Sequence, residues 1–177
     1  MKIFVASADN AKAHAKKFID GCKHDNVEFF PWWEYFSPGE TLLETLNNAS
    51  KEMDAAVIIL TPDGMLQRGN QQNQILVPNQ NILFDFGFFY GAKGKSRVAV
   101  VKYGAPNLPS DLGGYVHIPG SSSFTPNMCN NASAGTKAGF KKWIDTLIAN
   151  VGIASKTATT VNIFVFNLHP YLLIEKY

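Results

Sequence analysis

The chain has 177 residues, 46% hydrophobic and 17% charged, with a formal net charge of +2. That length suits one domain with a real hydrophobic core, and the composition excludes a disordered chain. A charge this near balance gives no argument for nucleic acid, and the pairs Lys16-Lys17 and Lys141-Lys142 read as solvated helix faces.

No apolar stretch approaches bilayer-spanning length, and residues 1–7 lack a secretory layout. A cytoplasmic protein with no membrane partner is therefore expected. Cys22 and Cys129 form no CxxC pair and read as reduced thiols. The four histidines, His14, His24, His117 and His169, show no metal-ligand spacing, so no metal is expected.

Lys2 to Ala6 (KIFVA) is a short apolar run that predicts a central strand. Ser7-Ala8-Asp9-Asn10 offers polar caps for a helix, in which Ala11, Ala15, Phe18, Ile19 and Cys22 recur at helical spacing. Val27 to Phe30 reads as a second strand, and Pro31 to Phe36 as an aromatic loop. Ser37-Pro38-Gly39-Glu40 has the form of a capping box, ahead of a helix with Leu42, Leu43, Leu46 and Ala49 as its buried stripe. Ala55 to Leu60 (AAVIIL) suits a strand buried on both faces.

Residues 61–80 read as a long polar loop, of a kind that is uncommon in compact domains and often functional. A Phe-rich helix from about Asn81 to Ala92 follows, then a strand at Arg97 to Lys102 and a short last strand at Tyr115 to Ile118. Asp63 and Asp111 read as turn residues. After a Ser/Asn/Pro-rich loop at 119–134, Phe140, Trp143, Ile144, Leu147 and Ile148 mark a closing helix. Val161 to Phe166 has the look of a strand; 151–177 reads as an extension that is an extra strand, an interface arm or a tail without function. Strand and helix alternate, which implies an α/β fold: a parallel sheet with helices on both faces, binding ligands beyond the strands' carboxyl ends.

Pro78-Asn79-Gln80-Asn81-Ile82-Leu83-Phe84-Asp85-Phe86-Gly87 carries one carboxylate, Asp85, in an apolar run. A lone acid there is costly to bury unless it is paired or used; the alternative is that it favours the helix N-terminus through the dipole. Gly87 and Gly91 share a helix face and predict close approach of a neighbouring backbone. No GxGxxG or P-loop glycine pattern is present.

Taken in order, Lys2-Ile3-Phe4-Val5-Ala6-Ser7, Pro31-Trp32-Trp33, Leu60-Thr61-Pro62-Asp63, Arg68-Gly69, the 78–87 run and Leu108-Pro109-Ser110-Asp111-Leu112 resemble bacterial TIR-like nucleotide-binding domains. These are the TIR effectors of the CBASS and Pycsar antiphage systems, including the TIR portion of bacterial STING proteins. The resemblance covers roughly residues 1–118, within a TIR-like domain at 1–150. It implies a flavodoxin-like TIR fold and cleavage of the nicotinamide–ribose bond of NAD, with NAD as substrate and no further cofactor. It also implies self-association through TIR surfaces, and a separate cyclic-nucleotide-sensing partner.

The family's catalytic glutamate position is Asp85 here, and the position the family usually fills with arginine is Asn79. A carboxylate can stabilise the cation that forms on the ribose. Aspartate is one methylene shorter, which moves its oxygens by roughly 1 Å and can cost on the order of 100-fold in rate. Around Asp85 the expected substrate contacts are Ser7, as donor to a ribose or phosphate oxygen or as a helix cap, and Trp33, stacking on a base or packing in the core. Arg68 is expected on the pyrophosphate or in solvent, and Asn81 as the cap of the helix bearing Asp85. Two other functions fit the same residues: a non-catalytic nucleotide-binding or scaffold module, and a nucleoside deoxyribosyltransferase-like enzyme.

Overall fold

The computed structural model describes residues 1–36, 39, 41–67, 74–112, 115 and 117–168, and the side chains among these except those of 66, 67, 74, 111 and 152–168. Strands β1 (Lys2–Ser7), β2 (Glu28–Pro31), β3 (Ala55–Leu60), β6 (Val98–Lys102) and β7 (His117–Pro119) form one five-stranded sheet. Its order is β2-β1-β3-β6-β7, and every pairing in it is parallel. Strands β4 (Gly64–Gln67) and β5 (Gln74–Val77) pair as a separate antiparallel hairpin. The helices are α1 (Lys12–Gly21), α2 (Trp32–Tyr35), α3 (Leu42–Glu52), α4 (Gln80–Lys93) and α5 (Ala134–Leu168). The chain divides into a unit at Met1–Lys141, which holds the sheet, and a unit at Lys142–Tyr177, which holds the remainder of α5.

Strand β3 is buried at all six positions, as its uninterrupted apolar run requires in the middle of a parallel sheet. Its register with β1 runs from Ile3 opposite Ala55 to Ser7 opposite Ile59. Alternate residues of β1 then serve opposite faces. Phe4 and Ala6 join the core that includes Leu46 of α3 and Phe86 and Phe89 of α4, and the Phe4 and Phe89 rings stack at 5.0 Å. On α1, Ala11, His14, Ala15, Phe18 and Cys22 are buried in or beside the helix, and the Phe18 ring meets Phe140 edge-on at 5.4 Å.

Several local expectations are corrected. The 61–80 segment is not a structureless loop, because β4 and β5 pair within it. Residues 32–35 form a helical turn rather than a loop. The capping box sits at Thr41 and Glu44: the Thr41 hydroxyl accepts from the Glu44 amide at 3.2 Å, and the Glu44 carboxylate accepts from the Thr41 amide at 2.9 Å. Ser37, Pro38 and Glu40 lie outside the described residues. Starting at Leu42 turns Thr45, Leu46, Ala49 and Ser50 inward, so Leu42 and Leu43 are 48% and 55% exposed rather than part of the buried stripe. No side chain caps α1; a 3₁₀ turn at Asp9–Ala11 leads into it. Residues 161–166 are helical, because strand propensity is a weak prior inside a helix already under way.

Gly87 and Gly91 are exposed, and a Cβ at either would meet nothing within 4 Å. Among the described residues no backbone approaches them, because the buried face of α4 is Ile82, Asp85, Phe86 and Phe89. Gly120 is the opposite case: a Cβ there would lie 2.4 Å from the Lys102 carbonyl oxygen, which accepts the Gly120 amide at 3.0 Å. Gly87→Ala is therefore expected to stabilise the fold by about 0.5–1 kcal/mol. Gly120→Ala is expected to destabilise it by about 1–3 kcal/mol. Urea-unfolding midpoints of the two variants check both signs.

Candidate functional site

The strand order turns outward from β1 in one direction and from β3 in the other, so the crevice of the sheet lies at the carboxyl ends of these two neighbours. Ser7 ends β1, and Thr61 follows β3. Both are buried, and the Thr61 hydroxyl has no hydrogen-bond partner among the described residues. Asp63, two residues on, accepts from the Asn79 amide at 3.1 Å through Oδ1, while its Oδ2 is buried without a partner. That bond ties the rim to the start of α4.

Asn79, not Asn81, caps α4: its side-chain oxygen accepts from the Asn81 amide at 2.9 Å. The Asn81 side chain is exposed. Asn79 has φ −55 and ψ 134, the non-helical backbone a cap needs, with helical geometry from Gln80 onward. Asp85 consequently lies in the second turn, past the reach of the helix dipole, and the first turn contains no acid. It faces inward with Ile82, Phe86 and Phe89 and is 8% exposed. Its Oδ1 is sealed from solvent and has no hydrogen-bond partner among the described residues. Burial pushes its carboxyl up from 3.8 to about 6.

Ser7 neither caps a helix nor stands free. Its Oγ accepts the Trp32 indole N–H at 3.1 Å, which leaves its own proton to donate. Trp33 is half-buried, its indole N–H on the Glu34 carboxylate at 3.1 Å. The ammonium groups of Lys12 and Lys16 lie 5.1 and 5.9 Å from its ring centre, and that of Lys12 lies 5.7 Å from the Trp32 ring. Arg68 lies outside the described residues.

Sequence reasoning missed Lys12, Lys16, Trp32 and Thr61. A Lys pair four apart on α1 was the available signal for the first two; the burial of Thr61 and the Trp32–Ser7 bond depend on tertiary packing and left none.

The described residues form cavities at two places away from Asp85. One, of about 570 Å³, is bounded by His14, Tyr103 and the 120–133 segment. The other, of about 430 Å³, lies between α3 and Phe88 of α4. Asp85 lines neither. Among the described residues, no group of three or more His, Cys, Asp or Glu side chains is arranged to hold a metal ion, and no helix is long and apolar enough to cross a membrane.

The family described as "CAP12/Pycsar effector protein, TIR domain" matches residues 2–122, more than half of the chain. The chain belongs to this family. It is similar to CD-NTase-associated protein 12 of Sphingobacterium faecium, 29% identical over 114 residues, which cover 64% of this chain and 34% of the relative. CD-NTase-associated protein 12 of Flavobacterium daejeonense is 26% identical over 169 residues, covering 92% of this chain and 52% of the relative. Protein tirC of Dictyostelium discoideum is 28% identical over 130 residues, covering 67% and 63%. The chain thus spans about a third and about half of the two CD-NTase-associated relatives. The parallel five-stranded sheet flanked by helices is that of a TIR domain.

Within this TIR domain the buried acid has a thermodynamic signature. Its folded pKa lies above the unfolded value, so the folded state holds the proton more tightly. The stability tied to that proton is full below about pH 4 and is lost as the pH rises through about 6. The shift corresponds to about 3 kcal/mol. Asp85→Asn is expected to remove this dependence. Relative to the native protein it gains about that much stability between pH 4 and pH 8, read as the difference between the two urea-unfolding curves at each pH.

Proposed function

We propose that the chain is a TIR-type NAD⁺ nucleosidase that cleaves the nicotinamide–ribose bond as an antiphage effector. Its activity would be switched on by self-association, under the control of a separate cyclic-nucleotide-sensing partner. Membership of the effector family and the names of the CD-NTase-associated relatives support the biological setting. The observation that carries the chemistry is the Asp85 carboxylate, buried without a hydrogen-bond partner for Oδ1. A carboxylate whose charge is unmatched in the resting protein gains most when a cation forms beside it.

In this reading nicotinamide departs with the electron pair of the C1′–N bond. The ribose becomes an oxocarbenium-like cation, which the Asp85 carboxylate stabilises or orients through the ribose hydroxyls. Water then adds to C1′ and releases a proton, giving ADP-ribose. Ser7 donates its remaining proton to the sugar, Trp33 offers an indole face to a base, and Lys12 and Lys16 supply the positive charge that a pyrophosphate needs. Arg68 would add to that charge. Phe84, 54% exposed on α4, and Leu42 and Leu43 on α3 give the unit apolar surface for self-association.

A second reading has its own observation. Asp85 lines neither described cavity, and its shorter arm sits where the family carries glutamate, which favours a nucleotide-binding module without turnover. Incubation of the self-associated protein with NAD⁺, following nicotinamide release, separates the two. Release that is abolished in Asp85→Ala, raised by up to ~100-fold in Asp85→Glu and diminished below about pH 6, where the carboxyl becomes protonated, is the expected result. Silence of both the native protein and Asp85→Glu, with NAD⁺ or ADP-ribose still bound in calorimetry, would establish the binding module. Turnover of deoxynucleosides alone would point instead to a deoxyribosyltransferase-like enzyme.

A further inference from the structure

Helix α2 sets two indoles at the carboxyl end of β2, next to β1 and the Ser7 that ends it. This is the end of a parallel sheet where ligands bind. Trp32 is fixed by its indole N–H, which donates to Ser7 Oγ at 3.1 Å, and by an edge-on contact with Phe36 at 5.8 Å. Trp33 is half-buried. Its N–H donates to the Glu34 carboxylate at 3.1 Å, and its ring meets Trp32 edge-on at 5.9 Å.

What lies against these rings is charge. Lys12 Nζ is 5.1 Å from the Trp33 ring centre and 5.7 Å from that of Trp32, and Lys16 Nζ is 5.9 Å from that of Trp33. All three distances fall within the ~6 Å over which an ammonium is drawn to an indole face. Among the described residues neither ammonium meets a carboxylate or a hydrogen-bond acceptor. The two lysines are also one helical turn apart on α1, where like charges repel. Two cations so placed, with no counter-ion, favour an anion between them.

The same two cations occupy the ring that a base would use. A base stacking on Trp33 has to displace ammonium groups whose hold on it is worth, together, about five- to thirtyfold in affinity. A phosphate offers those groups charge-assisted hydrogen bonds, which are stronger than a cation–π contact at a wet surface. The flexible four-carbon stem of lysine lets the ammonium pass from ring to phosphate while the helix stays in place.

We infer that Lys12 and Lys16 are specificity-determining residues: they cover Trp33 until a phosphate draws them off. The rim then favours a phosphate-bearing nucleotide over the bare nucleoside by more than the phosphate's own contacts. The inference rests on the reading above in one respect, that Trp33 serves a base, and needs neither cleavage nor Asp85.

Calorimetric titration of the full chain with adenosine, with inorganic pyrophosphate, and with adenosine in saturating pyrophosphate tests this, ionic strength being matched with sodium chloride. None of these ligands has a nicotinamide bond to cleave. Pyrophosphate is expected to bind saturably and to tighten adenosine about five- to thirtyfold. The double variant Lys12→Ala, Lys16→Ala, on a helix that alanine favours, is expected to lose pyrophosphate without lowering Tm. It is also expected to bind adenosine alone more tightly than the native chain, by the same factor, with no further gain from pyrophosphate. Trp33→Leu is expected to lose adenosine and keep pyrophosphate. The inference is overturned by absence of binding of either ligand up to millimolar concentration. Pyrophosphate that competes with adenosine or leaves its affinity unchanged overturns it too, as does adenosine bound no more tightly by the double variant than by the native chain. Any of these results leaves the nucleosidase reading to the nicotinamide-release assay. A silent release assay with the coupling intact removes the cleavage and keeps the cover.

Discussion

A carboxylate buried in an apolar helix face with no donor on one of its oxygens is the constraint on which the functional reading depends. Asp85 occupies a position on α4 that, beside Ile82, Phe86 and Phe89, any aliphatic residue of similar size would fill with greater stability. Nothing in the packing of the helix needs the acid: its cap is Asn79, its first turn is uncharged, and its grip on the sheet is the stack of Phe89 on Phe4. The acid therefore raises the free energy of the fold, and its Oδ1 makes no hydrogen bond among the described residues.

The crevice at the carboxyl ends of β1 and β3 repeats the pattern at lower stakes. Thr61 Oγ1 and Asp63 Oδ2 are also buried and unanswered, while the partner oxygen of Asp63 holds the Asn79 amide. The same residue thus anchors α4 and keeps one acceptor spare. Ser7 does likewise, accepting from Trp32 with its proton still to give. Groups bonded on one side and open on the other are rigid without being exhausted, as preorganised sites require.

Most of the sheet was legible in the sequence because its signal is local. The unbroken run AAVIIL can only be a strand buried on both faces, and the apolar runs at Lys2–Ala6 and Arg97–Lys102 alternate with helices in a way that permits a parallel sheet alone. The errors came where one residue shifts a whole face. Placing the capping box at Ser37 rather than Thr41 rotated Leu42 and Leu43 into a core they do not enter. Reading Gly87 and Gly91 as a contact seam assumed a neighbour that the topology does not place there. Asp85 itself was legible as an anomaly of composition, but its second-turn position depended on a cap two residues earlier than Asn81. The pairing of Ser7 with Trp32 spans 25 residues and had no trace in either local pattern.

Helix α1 divides the chemistry of the rim. Lys12 and Lys16 present their ammonium groups to the indoles of Trp32 and Trp33, while His14, between them in sequence but turned through the helix, is buried and neutral against Tyr103 and Phe124. The division rests on the 3.6-residue period: positions 12 and 16 fall on one face of the helix and position 14 on the far side.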